Sequence, residues 1–250
     1  MTTVGNRYDA RVILTDAFWP DIDAGPRRLL IVPVGSLEQH GPHLPLDTDT
    51  RIAVAVTERA VGAFTGVVVA PPIAIGASGE HAGFPGTLSI GTDALTTCLI
   101  ELGRHASIYW PAMLLANGHG GNIDAVAAAV AKLTEEGRTV RAWHASTPGG
   151  DPHAGRAETS VMLALAPGSV RLSAAAPGET RPLRDIMPLL REGGVRSVSP
   201  NGVLGDPAGA SAAEGTELLD GLVARLRSTI TDMLAELAPG DANSSLSCWE

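Results

Sequence analysis

Three runs that are apolar at every position, Leu29-Leu30-Ile31-Val32, Val67-Val68-Val69-Ala70 and Met113-Leu114-Leu115-Ala116, constrain the fold of this chain more than any other feature. A strand with one solvated face alternates apolar and polar residues, so a strand without alternation must be covered on both faces. The segments between the runs carry helical spacing instead. Over residues 51–61, Ile52, Val56 and Ala60 recur at intervals of four, and Thr48 or Asp49 can cap the start, with Asp47 the more probable pure cap. Thr92-Asp93 opens a second helix with Leu95, Leu99 and Leu102 on one face, and residues 123–136 form a third, closed by Gly137. Residues 139–143 supply a fourth strand, and residues 157–166 a short helix stopped by Pro167. Strand and helix in alternation predict an α/β fold, a three-layer α/β/α sandwich around a mostly parallel sheet.

At 250 residues such a fold is expected to be one domain, residues 1–238, followed by a tail over 239–250 whose composition predicts disorder. Residues 171–210 are rich in Pro, Gly and Ser and read as surface loops or an oligomer contact, while residues 217–237 restore a long amphipathic helix. The formal charge of −9, with no basic cluster larger than Arg27-Arg28, argues against a nucleic-acid partner. Two cysteines, Cys98 and Cys248, suggest neither a disulfide framework nor a thiolate zinc site and suit the cytoplasm. Residues 1–10 lack the apolar core of an export signal, and no run approaches the roughly 20 apolar residues of a membrane span.

Polar groups of one chemical kind follow the apolar runs. Glu38 and His40 come after the first, Glu80 and His81 after the second, His119 after the third, and His153 after the fourth strand. Ligands of an open α/β sheet gather at the carboxyl ends of its strands, so these side chains are placed to converge. Five of the seven histidines, with His43 included, lie in such loops, and the other two, His105 and His144, sit at a helix end and a strand end. In an extended segment residues i and i+2 face the same way, so Glu38 and His40 can face one point while Gln39 faces away. Asp49, eleven positions after Glu38, can bridge two cations, with Glu38 and His119 on one side and His40 on the other. The segment Asn117-Gly118-His119-Gly120-Gly121-Asn122 could instead be a phosphate loop, but it lacks the G-x-G-x-x-G spacing and the G-K-[ST] ending. Residues 76–87 form a glycine-rich loop too long for a simple connector, which makes Glu80 and His81 candidates for substrate binding alongside Gly120 and Gly121. His153 and Glu158 straddle a loop-to-helix junction, where a carboxylate also has a purely structural use.

The ordered set Pro33-Val34-Gly35-Ser36-Leu37-Glu38-Gln39-His40-Gly41-Pro42-His43-Leu44-Pro45-Leu46, Asp49, Phe84-Pro85-Gly86-Thr87, Asn117-Gly118-His119, His153-Ala154-Gly155 and Glu158-Thr159-Ser160 resembles the creatininase family of metal-dependent amidohydrolases. The resemblance implies two divalent metal ions, of zinc, manganese or iron. Glu38, Asp49 and His119 would hold one, and His40 with the shared Asp49 the other. It makes His153 the catalytic histidine that protonates the leaving nitrogen. The family's further carboxylate, two residues after the His of Asn-Gly-His, is replaced here by Gly121, which leaves Glu158 to complete the second site. Aromatics that enclose a creatinine-sized ring are replaced by Gly120 and Gly149. The chain is most similar to the family branch found with mycofactocin biosynthesis, whose members remove a modified Val-Tyr-derived dipeptide from a small precursor peptide. A small-molecule amidohydrolase of the creatinine or formamide type is the alternative, and a catalytically silent oligomer subunit or binding protein the third reading. The family also implies a homo-oligomer, commonly a hexamer.

Overall fold

The computed structural model describes residues 12–62, 64–147 and 149–237. Five strands, β1 (Val12–Ile13), β2 (Leu29–Val34), β3 (Val67–Val69), β4 (Ala112–Asn117) and β5 (Thr139–His144), form one sheet in the order β1-β3-β2-β4-β5. Every pairing is parallel. The helices are α1 (Trp19–Ala24), α2 (Thr48–Val61), α3 (Thr92–Ala106), α4 (Ile123–Glu135), α5 (Arg156–Leu165), α6 (Leu183–Val198) and α7 (Ala212–Glu236).

The unbroken apolar runs produce two cores because successive side chains of a strand point to opposite faces. Leu29, Ile31, Val67, Val69 and Leu114 pack against α2, α5 and α7 on one face. Leu30, Val32, Val68, Met113 and Leu115 pack against α3 and α4 on the other. This is the expected three-layer α/β/α sandwich. The chain leaves β2 through α2 toward one edge of the sheet and leaves β4 through α4 toward the other edge, with the two helices on opposite faces. The crevice at the carboxyl ends of adjacent β2 and β4 is therefore a topological switch point.

Most helix and strand bounds fall within a residue or two of those expected. Helix α2 begins at Thr48, and neither Asp47 nor its neighbours cap it through a side chain. Asp47 instead accepts from Arg51 Nε at 2.7 Å, and Asp49 is turned into the crevice. Helix α7 begins five residues earlier than its apolar pattern suggests, because Ser211 caps it by accepting from Glu214 N. The larger correction concerns residues 171–210, whose composition reads as surface loops or an oligomer contact: they contain α6. Pro188 inside it and the kink at Gly194 (φ +68°) obscure its helical spacing, yet Ile186 and Val195 are buried with Leu204 in a third small core. Strand β1 and helix α1 were not expected at all. No helix among the described residues is long and apolar enough to cross a membrane. The expectations for residues 1–10, Cys248 and the tail lie outside the described residues.

Candidate metal centre

The loop after β2 delivers Glu38 and His40 into the crevice. Its course is fixed by Glu38 N donating to Leu46 O at 2.9 Å and Leu88 N to Leu37 O at 2.8 Å. The loop after β4 delivers His119 and is tied down by its two asparagines. Asn117 Nδ2 donates to His119 O at 2.7 Å, while Asn122 Nδ2 donates to Gly35 O at 2.9 Å and Asn122 Oδ1 accepts from Ala77 N at 2.8 Å. These asparagines join three strand-end loops into one wall. Gly118 lets that wall lie against the start of α2, since a Cβ there would stand 2.7 Å from Asp49 O.

Asp49 sits at the centre. Its Oδ1 is 3.1 Å from His40 Nε2, its Oδ2 is 3.0 Å from His119 Nδ1, and Oδ2 also accepts from Ser36 Oγ at 2.8 Å. Asp49 thus lies between His40 and His119. Glu38 Oε2 lies 3.1 Å from His119 Nε2, and Glu80 Oε1 lies 3.3 Å from the same nitrogen. Asp49 and Glu38 therefore address opposite nitrogens of His119. Compact donor groups that could hold a cation are Glu38 with Glu80 and His119, Glu38 with His40 and Asp49, His40 with His153 and Glu158, and Glu38 with His81 and His153. Glu80, expected only to bind substrate, thus joins the possible ligands.

His153 lies between the groups, with Nδ1 3.7 Å from Glu38 Oε1 and Nε2 2.8 Å from the backbone O of Gln39. It is followed by Ala154 at φ +52°, a left-handed backbone that costs a non-glycine residue about 1–2 kcal/mol. That turn lets Ala154 N donate to Glu158 Oε2 at 2.6 Å, which aims this carboxylate at His40. His43 does not join the others. It is buried with Nε2 2.9 Å from Thr159 Oγ1.

The electrostatics call for positive charge. Both carboxylate oxygens of Glu38 are buried with no hydrogen-bond partner. Burial, reinforced by Asp49, pushes the Glu38 carboxyl up to about 7, and burial also raises Glu158. Burial disfavours the charged form of His40, but Asp49 outweighs it and lifts the imidazole to about 10. His119 is likewise held well above its usual value against burial, by Glu38 and Asp49. Among the described residues none of the ion pairs of Glu38, Asp49 or Glu80 involves a lysine or arginine. Orphaned buried carboxylate oxygens among imidazoles, without thiolates, fit a hard or borderline divalent cation. By contrast, burial and the neighbouring His40 hold His153 well below its usual value, and burial lowers His81 to about 4, so both are neutral.

Two residues at the centre were missed in the sequence. Gln39 was expected to face away, and it does turn from the point that Glu38 and His40 share, but into a second buried group. Its Nε2 is 2.8 Å from His81 Nδ1, 3.0 Å from His153 Nε2 and 3.0 Å from Gly202 O. Gly202 comes from the segment taken for surface loop. A side chain there would overlap the Gln39 amide, and its φ of +84° also favours glycine. Gln39 and its burial could have been anticipated only by knowing that residues 199–205 fold back over the crevice.

Comparison with known proteins accords with this geometry. The family model described as creatininase, creatinine amidohydrolase, matches residues 15–230. A protein of Mycolicibacterium smegmatis named mycofactocin precursor peptide peptidase is 52% identical over 208 residues, covering 80% of this chain and 84% of its own. Among solved structures, a creatininase titled as a manganese form superposes with a TM-score of 0.69 at 25% identity, covering 90% of this chain and 99% of its own. A creatininase variant titled as Zn-Zn type does so at 0.70 and 25%, covering 90% and 98%. The chain belongs to the creatininase family.

Proposed function

We propose that this protein is a two-metal peptidase that releases a modified, Val-Tyr-derived dipeptide from the C-terminus of a small ribosomally made precursor peptide. The chain is a hydrolase acting on carbon–nitrogen amide bonds. The observation that carries the two-metal part is Asp49, whose two oxygens face His40 and His119, next to the buried carboxylate of Glu38, whose ion-pair partners among the described residues are imidazoles. By resemblance Glu38, Asp49 and His119 would hold one cation and His40, Asp49 and Glu158 the other, while the compact donor groups gather Glu38 and His119 with Glu80, and Glu38 and Asp49 with His40. Zinc, manganese and ferrous iron all suit carboxylate and imidazole donors. Such cations supply Lewis-acid activation of water and of the amide carbonyl.

The remaining steps belong to side chains. His153 is neutral, so Nδ1 can take a proton from the attacking water and pass it to the leaving nitrogen, which departs poorly without it. Glu80, His81, Gly120 and Gly121 would line the substrate. The peptide substrate is supported by the name of the mycobacterial relative and by the open space at Gly120, next to His119, where nothing stands within 4 Å of where a side chain would begin. A cyclic amide of creatinine size is the second reading, favoured by the description of the family model. Assembly into a homo-oligomer, a hexamer by resemblance, and a cytoplasmic setting complete the proposal. Exposed Phe18, Trp19 and Leu172 accord with the first, and the free, exposed Cys98 with the second.

The test is to incubate the zinc-, manganese- or iron-loaded protein with the modified precursor peptide, its unmodified form and creatinine, and to follow the products by mass spectrometry. Dipeptide release from the modified peptide, abolished in His119→Ala together with bound metal and in His153→Ala without loss of metal, is expected. Turnover of creatinine alone would favour the second reading. Full activity of His119→Ala would refute the centre.

A further inference from the structure

We infer that Gln39 is a positioning residue that fixes the protons of two histidines at the centre, so that His81 presents an N–H and His153 presents a bare nitrogen. Gln39 Oε1 accepts from Gly41 N at 2.8 Å, and Nε2 faces Gly202 O at 3.0 Å, which sets the orientation of the amide because a carbonyl can only accept. One of the two hydrogens on Nε2 therefore goes to Gly202. The other must choose between His81 Nδ1 at 2.8 Å and His153 Nε2 at 3.0 Å.

His153 Nε2 also stands 2.8 Å from the backbone carbonyl of Gln39, which is again an acceptor only. His153 satisfies it by carrying its proton on Nε2. The second amide hydrogen is then left for His81 Nδ1, which must be bare. His81, bare at Nδ1, carries its one N–H on Nε2, and His153, whose Nδ1 stands 3.7 Å from Glu38 Oε1 and so beyond hydrogen-bonding distance, carries its own on Nε2, which makes both rings the same tautomer with opposite ends toward the centre. His81 Nε2–H lies 3.4 Å from Glu38 Oε1 and 4.0 Å from Glu80 Oε1, while the bare Nδ1 of His153 lies 3.7 Å from Glu38 Oε1. The two rings are neighbours, with centroids 4.5 Å apart.

Donor and acceptor are thereby separated onto two side chains. His81 is excluded as a metal ligand despite its place among the donors, because the nitrogen it turns inward carries a hydrogen. On the amide-hydrolysis reading, on which this last step rests, His81 Nε2–H donates to the substrate carbonyl oxygen and keeps its proton throughout. Nδ1 of His153 takes the proton of the attacking water as the carbon–oxygen bond forms, and returns it to the nitrogen as the carbon–nitrogen bond breaks.

The experiment is solid-state 15N NMR of histidine-labelled, zinc-loaded protein, with the two residues assigned from the signals lost in His81→Asn and His153→Asn. Wild-type protein is expected to show both as neutral Nε2–H rings. In Gln39→Glu, which offers no N–H, His81 is expected to gain a proton on Nδ1 while His153, held by a backbone carbonyl, keeps its tautomer. A protonated Nδ1 of His81 in the wild type overturns the proposal without any variant, as does an unchanged His81 in a folded Gln39→Glu. Gln39→Met adds the kinetic reading: kcat is expected to fall on the order of 10-fold or more with KM and bound zinc within twofold, and an unchanged kcat overturns the role given to His81. The tautomers are read without turnover, so a protein inert on every amide would end the hydrolase reading and leave the proton assignment standing.

Discussion

Gly121 gives the sharpest test of how tightly the centre is built. Its backbone has no unusual φ, so glycine is required there by proximity alone. A Cβ at this position would lie 2.4 Å from Ala77 O, from Glu80 Oε1 and from His119 Nε2, where ordinary contact begins at 3.4 Å. About 1 Å of space is missing in three directions at once. Ala77 O is backbone, and His119 is held on its far side by Asp49 Oδ2 at 3.0 Å, so Gly121→Ala must displace either the imidazole or the Glu80 carboxylate. Overpacking of this kind costs about 1–3 kcal/mol, and a displacement of about 1 Å in a reacting centre costs roughly 100-fold in rate. Gly120→Ala is the control, because nothing stands within 4 Å of its Cβ. Peptide hydrolysis, elemental analysis of bound metal and thermal melting would be measured on both. Gly121→Ala is expected to lose roughly 100-fold in kcat/KM and part of its metal. Gly120→Ala should keep its metal and its melting temperature, with any effect confined to KM. A Gly121→Ala protein with full metal and kcat/KM within threefold of wild type would refute the reasoning.

Two further outcomes follow from the charges. Chelation should lower the melting temperature, since a ligand present at 100 times its Kd adds about 2.7 kcal/mol, or roughly 5–10 °C in a chain of this size; an identical melt with and without chelator would count against a buried cation site. Cation binding should also expel protons. The His40 pKa is raised to about 10 and the Glu38 carboxyl to about 7, so at pH 7 the imidazole is charged and the carboxyl about half protonated before a cation arrives. In metal-free protein the His40 contribution to stability is fully present below its ordinary value and is lost as pH rises through about 10. Affinity for zinc or manganese should therefore weaken as pH falls from 8 to 6, with about one proton or more released per cation. Calorimetry in buffers of different ionisation enthalpy measures this, and a proton count of zero would contradict the charge state assigned to the site.

How much of this could be seen in the sequence depends on the range of the forces involved. The strands were legible because burial on both faces leaves no polar residue in Leu29 to Val32 or in Met113 to Ala116, a local signal. The candidate ligands were legible because Glu38, His40 and His119 each follow such a strand closely. Asp49 was ambiguous: at a helix start a carboxylate is equally favoured as a cap, and only the structure shows that it caps nothing and faces two imidazoles instead. Helix α6 was hidden because Pro188 and Gly194 break its local pattern, while its stability comes from contacts with Leu204 and Phe84, distant in sequence. Gln39 was misjudged for the same reason. Alternation along the strand places its side chain correctly on the opposite side, but what waits there is Gly202, 163 residues away.

The concentration of acid groups at the switch point follows from the topology. Where β2 and β4 lie side by side and their helices depart to opposite faces, two loops open onto one crevice. A polar site there disturbs neither core. Carboxylates buried so close together repel one another, and burial opposes each ionisation. Imidazolium at His40 and His119 can neutralise two charges, but only by occupying the nitrogens that face Asp49 and Glu38. Glu38, Asp49, Glu80 and Glu158 together carry four negative charges when ionised, which is the charge of two divalent cations. Two cations would let His40 and His119 become neutral donors while every carboxylate stays ionised. His81 and His153, whose inner nitrogens stand farther from Glu38, at 3.4 and 3.7 Å, are left neutral. The same burial that makes four of these histidines unusual thus divides them by their neighbours, those beside Asp49 held charged and those beside Gln39 held neutral.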